Sequence, residues 1–145
     1  MRYAVPFGRL LFSLIFLMAG FSNFSHQAIQ HAASAGVPLA SLAVPVSGIV
    51  AFLGGLSILL GYRTRWGAWL IVLFLVPVTI MMHAFWNESD PMMRQMQMVN
   101  FMKNLALLGG ALAFAYFGAG PVSIDEHEAH RGEADEFHAH TAPQH

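Results

Sequence analysis

The chain has 145 residues, of which 56% are hydrophobic and only 10% are charged, whereas an average soluble domain carries roughly 25% charged residues. The formal net charge is −1, with basic residues in excess over residues 1–124 and acidic residues in excess over residues 125–145. This composition excludes a soluble globular domain, and the few scattered Lys and Arg residues exclude a nucleic-acid-binding protein. The sequence predicts an integral membrane protein in contact with the lipid bilayer.

Long charge-free segments predict an all-α fold, a four-helix antiparallel bundle that crosses the membrane. No charged residue lies between Arg9 and Arg63, and two further charge-free runs follow, each at least as long as the ~20 residues that cross a bilayer core. The predicted spans, in chain order, are residues 6–24, 42–60, 66–85 and 99–118. They form one membrane domain, residues 1–124. Residues 125–145, acidic and rich in His, are predicted to be a disordered cytoplasmic tail.

The placement of Lys and Arg predicts the orientation, because basic residues stay on the cytoplasmic side. Five of the seven lie near the N-terminus, between the second and third spans, or in the tail, and Lys103 lies within the fourth span. The loop between the first two spans has none, and the loop between the last two has only Arg94. Both termini are therefore predicted to be cytoplasmic.

Small residues at helical spacing predict close contacts between helices in lipid. The two stripes are Ser47, Ala51 and Gly55 in the second span, and Ala106, Gly110 and Ala113 in the fourth.

Polar residues, which are costly inside a bilayer, concentrate near the predicted outer ends of the helices. Asn23 lies at the end of the first span, and Thr79 near the end of the third. Lys103 continues the stripe of small residues in the fourth span and is expected to face the bundle. These positions predict a polar pocket, with the following candidate cofactor-binding residues: His83, Lys103, Asn104, Asn100 and His26.

Two interpretations of this cluster are open. In the first, it binds a polar headgroup such as a quinone carbonyl or a small anion, with Lys103 as an electrostatic donor and His83 as a hydrogen-bonding or proton-transferring group. In the second, Lys103 extends to the outer interface and the amide side chains only hold the helices together.

Other polar groups carry weaker signals. Arg9 is expected to anchor the first helix at the interface, with a role inside the bundle as the alternative. The Met-rich segment, residues 92–98, is expected to be an apolar surface segment, with a Cu(I) site as the alternative. The chain has no Cys, which excludes disulfides, thiolate nucleophiles and Cys-ligated metals. The tail is rich in His and is expected to be disordered, with weak metal binding as the alternative. Its His residues are His127, His130, His138, His140 and His145.

Several motifs resemble those of the DoxX family over about residues 6–125. They are Gly8-Arg9-Leu10-Leu11-Phe12, Gly54-Gly55, His83-Ala84-Phe85-Trp86, Asn100–Gly110 and Gly120–Asp125. The resemblance implies a small multi-pass protein of the bacterial plasma (inner) membrane, linked to quinone-coupled and redox-stress systems. The recurrent polar residues of that family fall here on Arg9, His83, Lys103 and Asn104, whereas Ala51 stands where many relatives have Glu.

These features predict an accessory subunit of a quinone-linked oxidoreductase or oxidative-stress complex. Its cofactor would be a quinone, and its partner another membrane protein or a second copy of the chain. The catalytic residues stay unassigned, and no metal site is assigned. The alternatives are a non-catalytic membrane scaffold and a transporter of protons or small solutes.

Overall fold

A computed structural model describes the backbone of residues 3–141 and the side chains of residues 3–132. Over this part of the chain the protein is helical and contains no β-strand. In chain order, the helices are α1 (Ala4–Ser22), α2 (His26–Ser34), α3 (Ala40–Leu60), α4 (Thr64–Met82), α5 (Pro91–Phe117) and α6 (Ile124–Thr141), with a short 3-10 turn at Phe85–Asn87.

Four of these helices confirm the predicted membrane spans. The segments long and apolar enough to cross a bilayer are Ala4–Ser22, Ala40–Leu60, Thr64–Asn87 and Pro91–Phe117. The first three begin two residues before their predicted starts, and α5 begins eight residues earlier than predicted. The apolar length of each run, rather than any motif, determines these positions.

Three helical segments were not predicted, namely α2, the first turns of α5, and α6, which is described below. Helix α2 has only nine residues and mixed polarity, so it carries no spanning signal. Helix α5 begins at Pro91, and Asp90 caps it by accepting a 2.8 Å hydrogen bond from the Met93 amide. Residues 92–98, interpreted from sequence as a surface segment, therefore form the first turns of α5. Asp before Pro is a helix-start signal that the apolar pattern obscured.

Helix contacts depend on small residues, as predicted for α3 and only in part for α5. Ala51 is fully buried in the core, together with Phe16 and Ile71. On α5, the ring of Phe12 lies over Gly110, but Ala106 and Ala113 are exposed. This stripe of α5 therefore lies mostly on the outside of the bundle.

Arg9 differs from its expected role as an interfacial anchor. Only 3% of the residue is exposed. Its guanidinium donates hydrogen bonds to the carbonyl oxygens of Ala119 (3.0 Å) and Val122 (2.6 Å), beyond the end of α5. The alternative, a role inside the bundle, therefore describes the structure: Arg9 ties α1 to the segment that follows α5.

The expected disordered tail instead contains α6, which begins against the link between α3 and α4. Asp125 accepts hydrogen bonds from the backbone amides of Arg63 (2.7 Å) and Thr64 (3.0 Å), and its own amide donates to the carbonyl of Gly61 (2.8 Å). Ser123 caps α6 through the Glu126 amide. The side chains of His138, His140 and His145 lie outside the described residues. We call this side of the molecule, with Arg9, the α3–α4 link and the start of α6, the arginine end.

Candidate functional site

A cavity of about 430 Å³ lies between α3 and α4, toward the end of the molecule opposite the arginine end. We call it the α2 cavity, because α2 covers it. Its lining is mainly apolar and includes Val44, Phe74, Pro77, Val78, Met81 and Met82. Four residues with hydrogen-bonding side chains also line it: Asn23, His31, Ser47 and His83. Such a combination of apolar walls and few polar groups is typical of a binding site for a small amphipathic molecule.

Glycines hold α3 and α4 together on one side of the cavity. A Cβ on Gly54 would lie 2.8 Å from Ile71 Cδ1 and 2.9 Å from the Gly67 carbonyl oxygen, so the two helices touch at this level. Nearer the end opposite the arginine end, both helices contain a proline, Pro45 in α3 and Pro77 in α4. The cavity occupies this half of the interface, where larger side chains replace glycine.

Helix α2 covers the cavity because its small residues fit against α3. Ser25 caps it by accepting a hydrogen bond from the Ala28 amide (3.2 Å). Ala32 is buried in a cluster with Ala40 and Val44, and Met82 of α4 packs against that cluster. On the side of the cavity that α2 covers, this single short helix therefore forms the wall.

Asn23 enters the lining because α1 and α3 cross closely. A Cβ on Gly48 would lie 2.8 Å from Asn23 Cβ, so only glycine permits this approach. The Asn23 amide nitrogen then donates to Ser47 Oγ over 3.1 Å, and Ser47 donates to the Val44 carbonyl over 2.7 Å. One N–H of the Asn23 amide group is used in this way, which leaves the second N–H and the amide oxygen for a ligand.

His83 lies directly after α4, and its ring is fixed by α5. Its Nδ1 is 2.8 Å from Oε1 of Gln97. Because an amide oxygen only accepts hydrogen bonds, Nδ1 carries a proton in this pair, and Nε2 of the neutral ring is an acceptor. The Phe85 ring packs edge-on against Phe101 of α5, with centroids 5.5 Å apart, and holds the chain that follows His83 against α5.

The other predicted site residues do not line the cavity. Lys103 is exposed on α5 rather than facing the bundle, and its Nζ donates to Asn100 Oδ1 of the same helix over 3.2 Å. His26 is exposed at the start of α2. Asn104 is buried on α5, with no hydrogen-bond partner among the residues whose side chains are described. Of the five predicted residues, the structure brings only His83 to the cavity.

Sequence reasoning missed one ring of the cavity, His31. It lies three residues after Ala28 and next to Ala32, both of which face α3 in the folded helix. The alternation of small apolar residues with polar ones in residues 26–34 could have identified an amphipathic helix. Asn23 was recognised as part of the polar cluster, and Ser47 only as a small residue.

Chemically, the cavity can hold an apolar chain and orient one polar headgroup. In its neutral form, with the proton on Nδ1, His83 offers an acceptor at Nε2, which suits a hydroxyl group. Asn23 offers both a donor and an acceptor. A cation is absent from the lining, since Lys103 is elsewhere, so the lining lacks the electrostatic donor that the sequence interpretation had assigned.

Comparison with known proteins gives a family and several relatives. The matching family model is described as the SURF4 family and covers residues 7–130. The inner membrane protein YphA of Escherichia coli (strain K12) is 29% identical over 119 residues, which is 81% of this chain and 84% of that protein. The inner membrane protein YqjF of the same organism is 32% identical over 119 residues, which is 81% of this chain and 85% of that protein.

A more distant relative is the Surfeit locus protein 4 homolog of Drosophila melanogaster. It is 32% identical over 72 residues, which is 49% of this chain and 27% of that protein. No solved structure matches the chain.

The resemblance to the DoxX family is wrong, because the model that matches residues 7–130 is that of the SURF4 family. The inner-membrane location that the resemblance implied is nevertheless supported by the Escherichia coli relatives. Membership of an oxidoreductase complex was inferred from the DoxX resemblance alone, and it loses that support.

Proposed function

The chain belongs to the SURF4 family of proteins, and we propose that this multi-pass inner-membrane protein binds a lipidic molecule with a hydroxyl-bearing headgroup in the α2 cavity. A quinol, the reduced form of the quinone inferred from the sequence, is one member of this ligand class. Others are lipids with a glycerol headgroup. The proposal concerns binding, and the polar groups of the lining are one amide, one hydroxyl and two imidazoles.

The observation that carries the proposal is the arrangement of polar groups within an apolar lining. A volume of about 430 Å³ lies within the range of roughly 300 to 1,000 Å³ usual for small-molecule sites. The apolar residues of α3 and α4 would contact the chain of the ligand. Asn23 and His83 would hydrogen-bond the headgroup, each already oriented by a partner inside the protein.

The test is to purify the protein with its native lipids and identify retained small molecules by mass spectrometry. Ala43 lines the cavity, and Ala43→Trp should fill it and abolish retention. His83→Phe keeps an aromatic ring of similar size but removes the acceptor. It should lower retention about fivefold or more, since one hydrogen bond in an apolar site contributes about 1 kcal/mol or more.

Lys103→Ala is the matched control, because Lys103 lies outside the cavity. It should retain the ligand as the wild type does. Loss of the ligand in Lys103→Ala but not in Ala43→Trp would contradict the proposal and favour a headgroup site around Lys103. Absence of any lipidic molecule bound above the bulk lipid composition in the wild type would also contradict it.

A second candidate function, a membrane scaffold that binds a partner helix or a second copy, is favoured by the outer face of α5. Ala106, Gly109 and Ala113 are exposed there, and a Cβ on Gly109 would meet no atom within 4 Å. Small residues on a lipid-facing helix permit close helix association. Because the chain has no Cys, Gly109→Cys can be cross-linked cleanly in membranes. A cross-linked dimer that Leu73→Cys on α4 does not give would indicate association of two copies through α5.

A further inference from the structure

A second cavity, of about 530 Å³, lies at the arginine end, between the start of α4, the end of α5 and the start of α6. We call it the arginine cleft. Arg63, Arg65 and Trp66 line it from one side, and Phe117 and Gly118 from the other. It is separate from the α2 cavity, with which it shares no lining residue.

The two guanidinium groups of the cleft are available to a ligand. The Arg63 guanidinium lies 5.7 Å from the ring centroid of its neighbour Tyr62. Neither Arg63 nor Arg65 makes a salt bridge with a carboxylate in the part of the chain whose side chains are described. The Arg65 side chain lies along Gly118, with Nε 3.8 Å from the position of a Cβ on that residue. Two exposed guanidiniums that line the same cleft can each donate two hydrogen bonds to oxyanions.

The acidic residues of the cleft are already occupied. Both carboxylate oxygens of Asp125 accept hydrogen bonds from the backbone amides of Arg63 and Thr64. Glu126 Oε2 accepts one from the Val122 amide (2.7 Å). The buried guanidinium of Arg9 also interacts electrostatically with both carboxylates. Arg63 and Arg65 are thus matched in number by Asp125 and Glu126 in the lining, but both carboxylates are held by backbone amides, and neither pairs with a guanidinium of the cleft among the described side chains.

The cleft is bordered by apolar surface at the depth where the spans end. Trp66 and Phe117 are 73% and 78% exposed, one beside the start of α4 and the other at the end of α5. Trp is preferred at the membrane–water interface. A molecule in the cleft can therefore place a charged group against the arginines while its chains lie along the two rings in the bilayer.

We propose that the arginine cleft binds the phosphate group of an anionic phospholipid. Arg63 and Arg65 hold the phosphodiester oxygens by charge-assisted hydrogen bonds, and the rings of Trp66 and Phe117 contact the upper parts of the acyl chains. Basic pockets between membrane helices bind lipid phosphate groups in this way. The site is independent of the function proposed for the α2 cavity, because no group is common to both.

The experiment uses the full-length protein in nanodiscs of phosphatidylcholine that contain a minor fraction of phosphatidylglycerol. Lipids that stay bound are counted by native mass spectrometry. The wild type should retain phosphatidylglycerol in preference to phosphatidylcholine, and Arg63→Gln with Arg65→Gln should reduce that preference about tenfold. Arg94→Gln is the control, since it removes one Arg charge from α5 at the opposite end of the molecule. It should leave the preference unchanged, whereas each of the single variants Arg63→Gln and Arg65→Gln, which remove the same charge, should reduce it.

Three outcomes would overturn the proposal. The first is a wild type that shows no preference for phosphatidylglycerol, and the second is an equal loss of preference in Arg94→Gln. The third is displacement of the lipid by inorganic phosphate or glycerol phosphate at the same concentration as the lipid, which would assign the cleft to a soluble phosphate compound.

Two controls separate loss of binding from loss of fold. Helix content, measured by circular dichroism, should be unchanged in the double variant. Arg63→Lys with Arg65→Lys should retain part of the preference, because the charge remains.

Discussion

At the scale of single residues, the cost of burying charge determines which polar groups have partners. Arg9 is buried at the arginine end, where the carbonyl oxygens of Ala119 and Val122 lie after the last turn of α5 and lack helical partners. One guanidinium satisfies both. No sequence pattern indicates this arrangement, because the donor and its acceptors are separated by 110 and 113 residues along the chain.

Arg9→Met tests how much the two hydrogen bonds from Arg9 to Ala119 and Val122 contribute to stability. Met has a similar apolar stem but no donor, so two carbonyl oxygens lose a charged partner. We expect the free energy of unfolding in detergent to fall by about 3 kcal/mol. The measurement is a thermal or denaturant unfolding curve followed by circular dichroism. Arg94→Met on the exposed part of α5 should change stability little, and an equally large loss in that control would contradict the interpretation.

The candidate site shows how far single residues could be assigned from sequence. His83 and Asn23 were identified because polar groups near the ends of apolar spans stand out. The side of a helix that a residue faces is less certain. Lys103 lies at the edge between the buried and exposed faces of α5, and an error of one helical position was enough to place it inside the bundle.

At the scale of helices, glycine determines how closely two elements approach. Gly54 of α3 is fully enclosed by α4, whereas Gly109 of α5 faces open space. Each lies inside a helix, so the intrinsic preference for Ala over Gly is the same at both sites. Any difference between the two substitutions therefore reports packing alone.

Gly54→Ala should destabilise the protein by about 1 to 3 kcal/mol, because the new Cβ would push Ile71 and the backbone of Gly67 away. Gly109→Ala should be neutral or stabilise by up to about 1 kcal/mol. Both values come from unfolding in the same detergent. Similar effects of the two substitutions would show that α3 and α4 do not touch at Gly54.

The long helices were predictable from sequence, and the short one was not. An apolar run that spans a bilayer is a strong signal by length alone. Helix α2 is held by its contacts with α3 and by the cap at Ser25 rather than by its own pattern. The part of the site that α2 contributes, His31, was missed for the same reason.

At the scale of the whole molecule, the fold class was predicted correctly and the family was not. Fold class follows from composition and from the lengths of the apolar runs. The DoxX resemblance depended on short segments, several of which contain Gly, a residue that tightly packed membrane bundles use in quantity at helix contacts. The SURF4 family model instead matches residues 7–130 as one continuous region.

The orientation predicted from the Lys and Arg distribution can be tested with single cysteines, since the native chain has none. Ser89 precedes α5, and Tyr62 lies in the link between α3 and α4 at the arginine end. In intact cells, a membrane-impermeant maleimide should label Ser89→Cys and not Tyr62→Cys. Both variants should react after the membrane is permeabilised. Labelling of Tyr62→Cys alone in intact cells would show the opposite orientation.

The long separation between Arg9 and its acceptors also has a consequence for biosynthesis. A ribosome that adds about 5 to 20 residues per second needs roughly 5 to 20 s to make the chain between Arg9 and Ala119. During that interval the guanidinium has none of the partners that it has in the finished fold. If the predicted orientation holds, its charge can act first on topology, by favouring a cytosolic position of the N-terminus during insertion. Only after α5 and the residues that follow it have been translated can the same side chain form the hydrogen bonds that join α1 to the segment after α5.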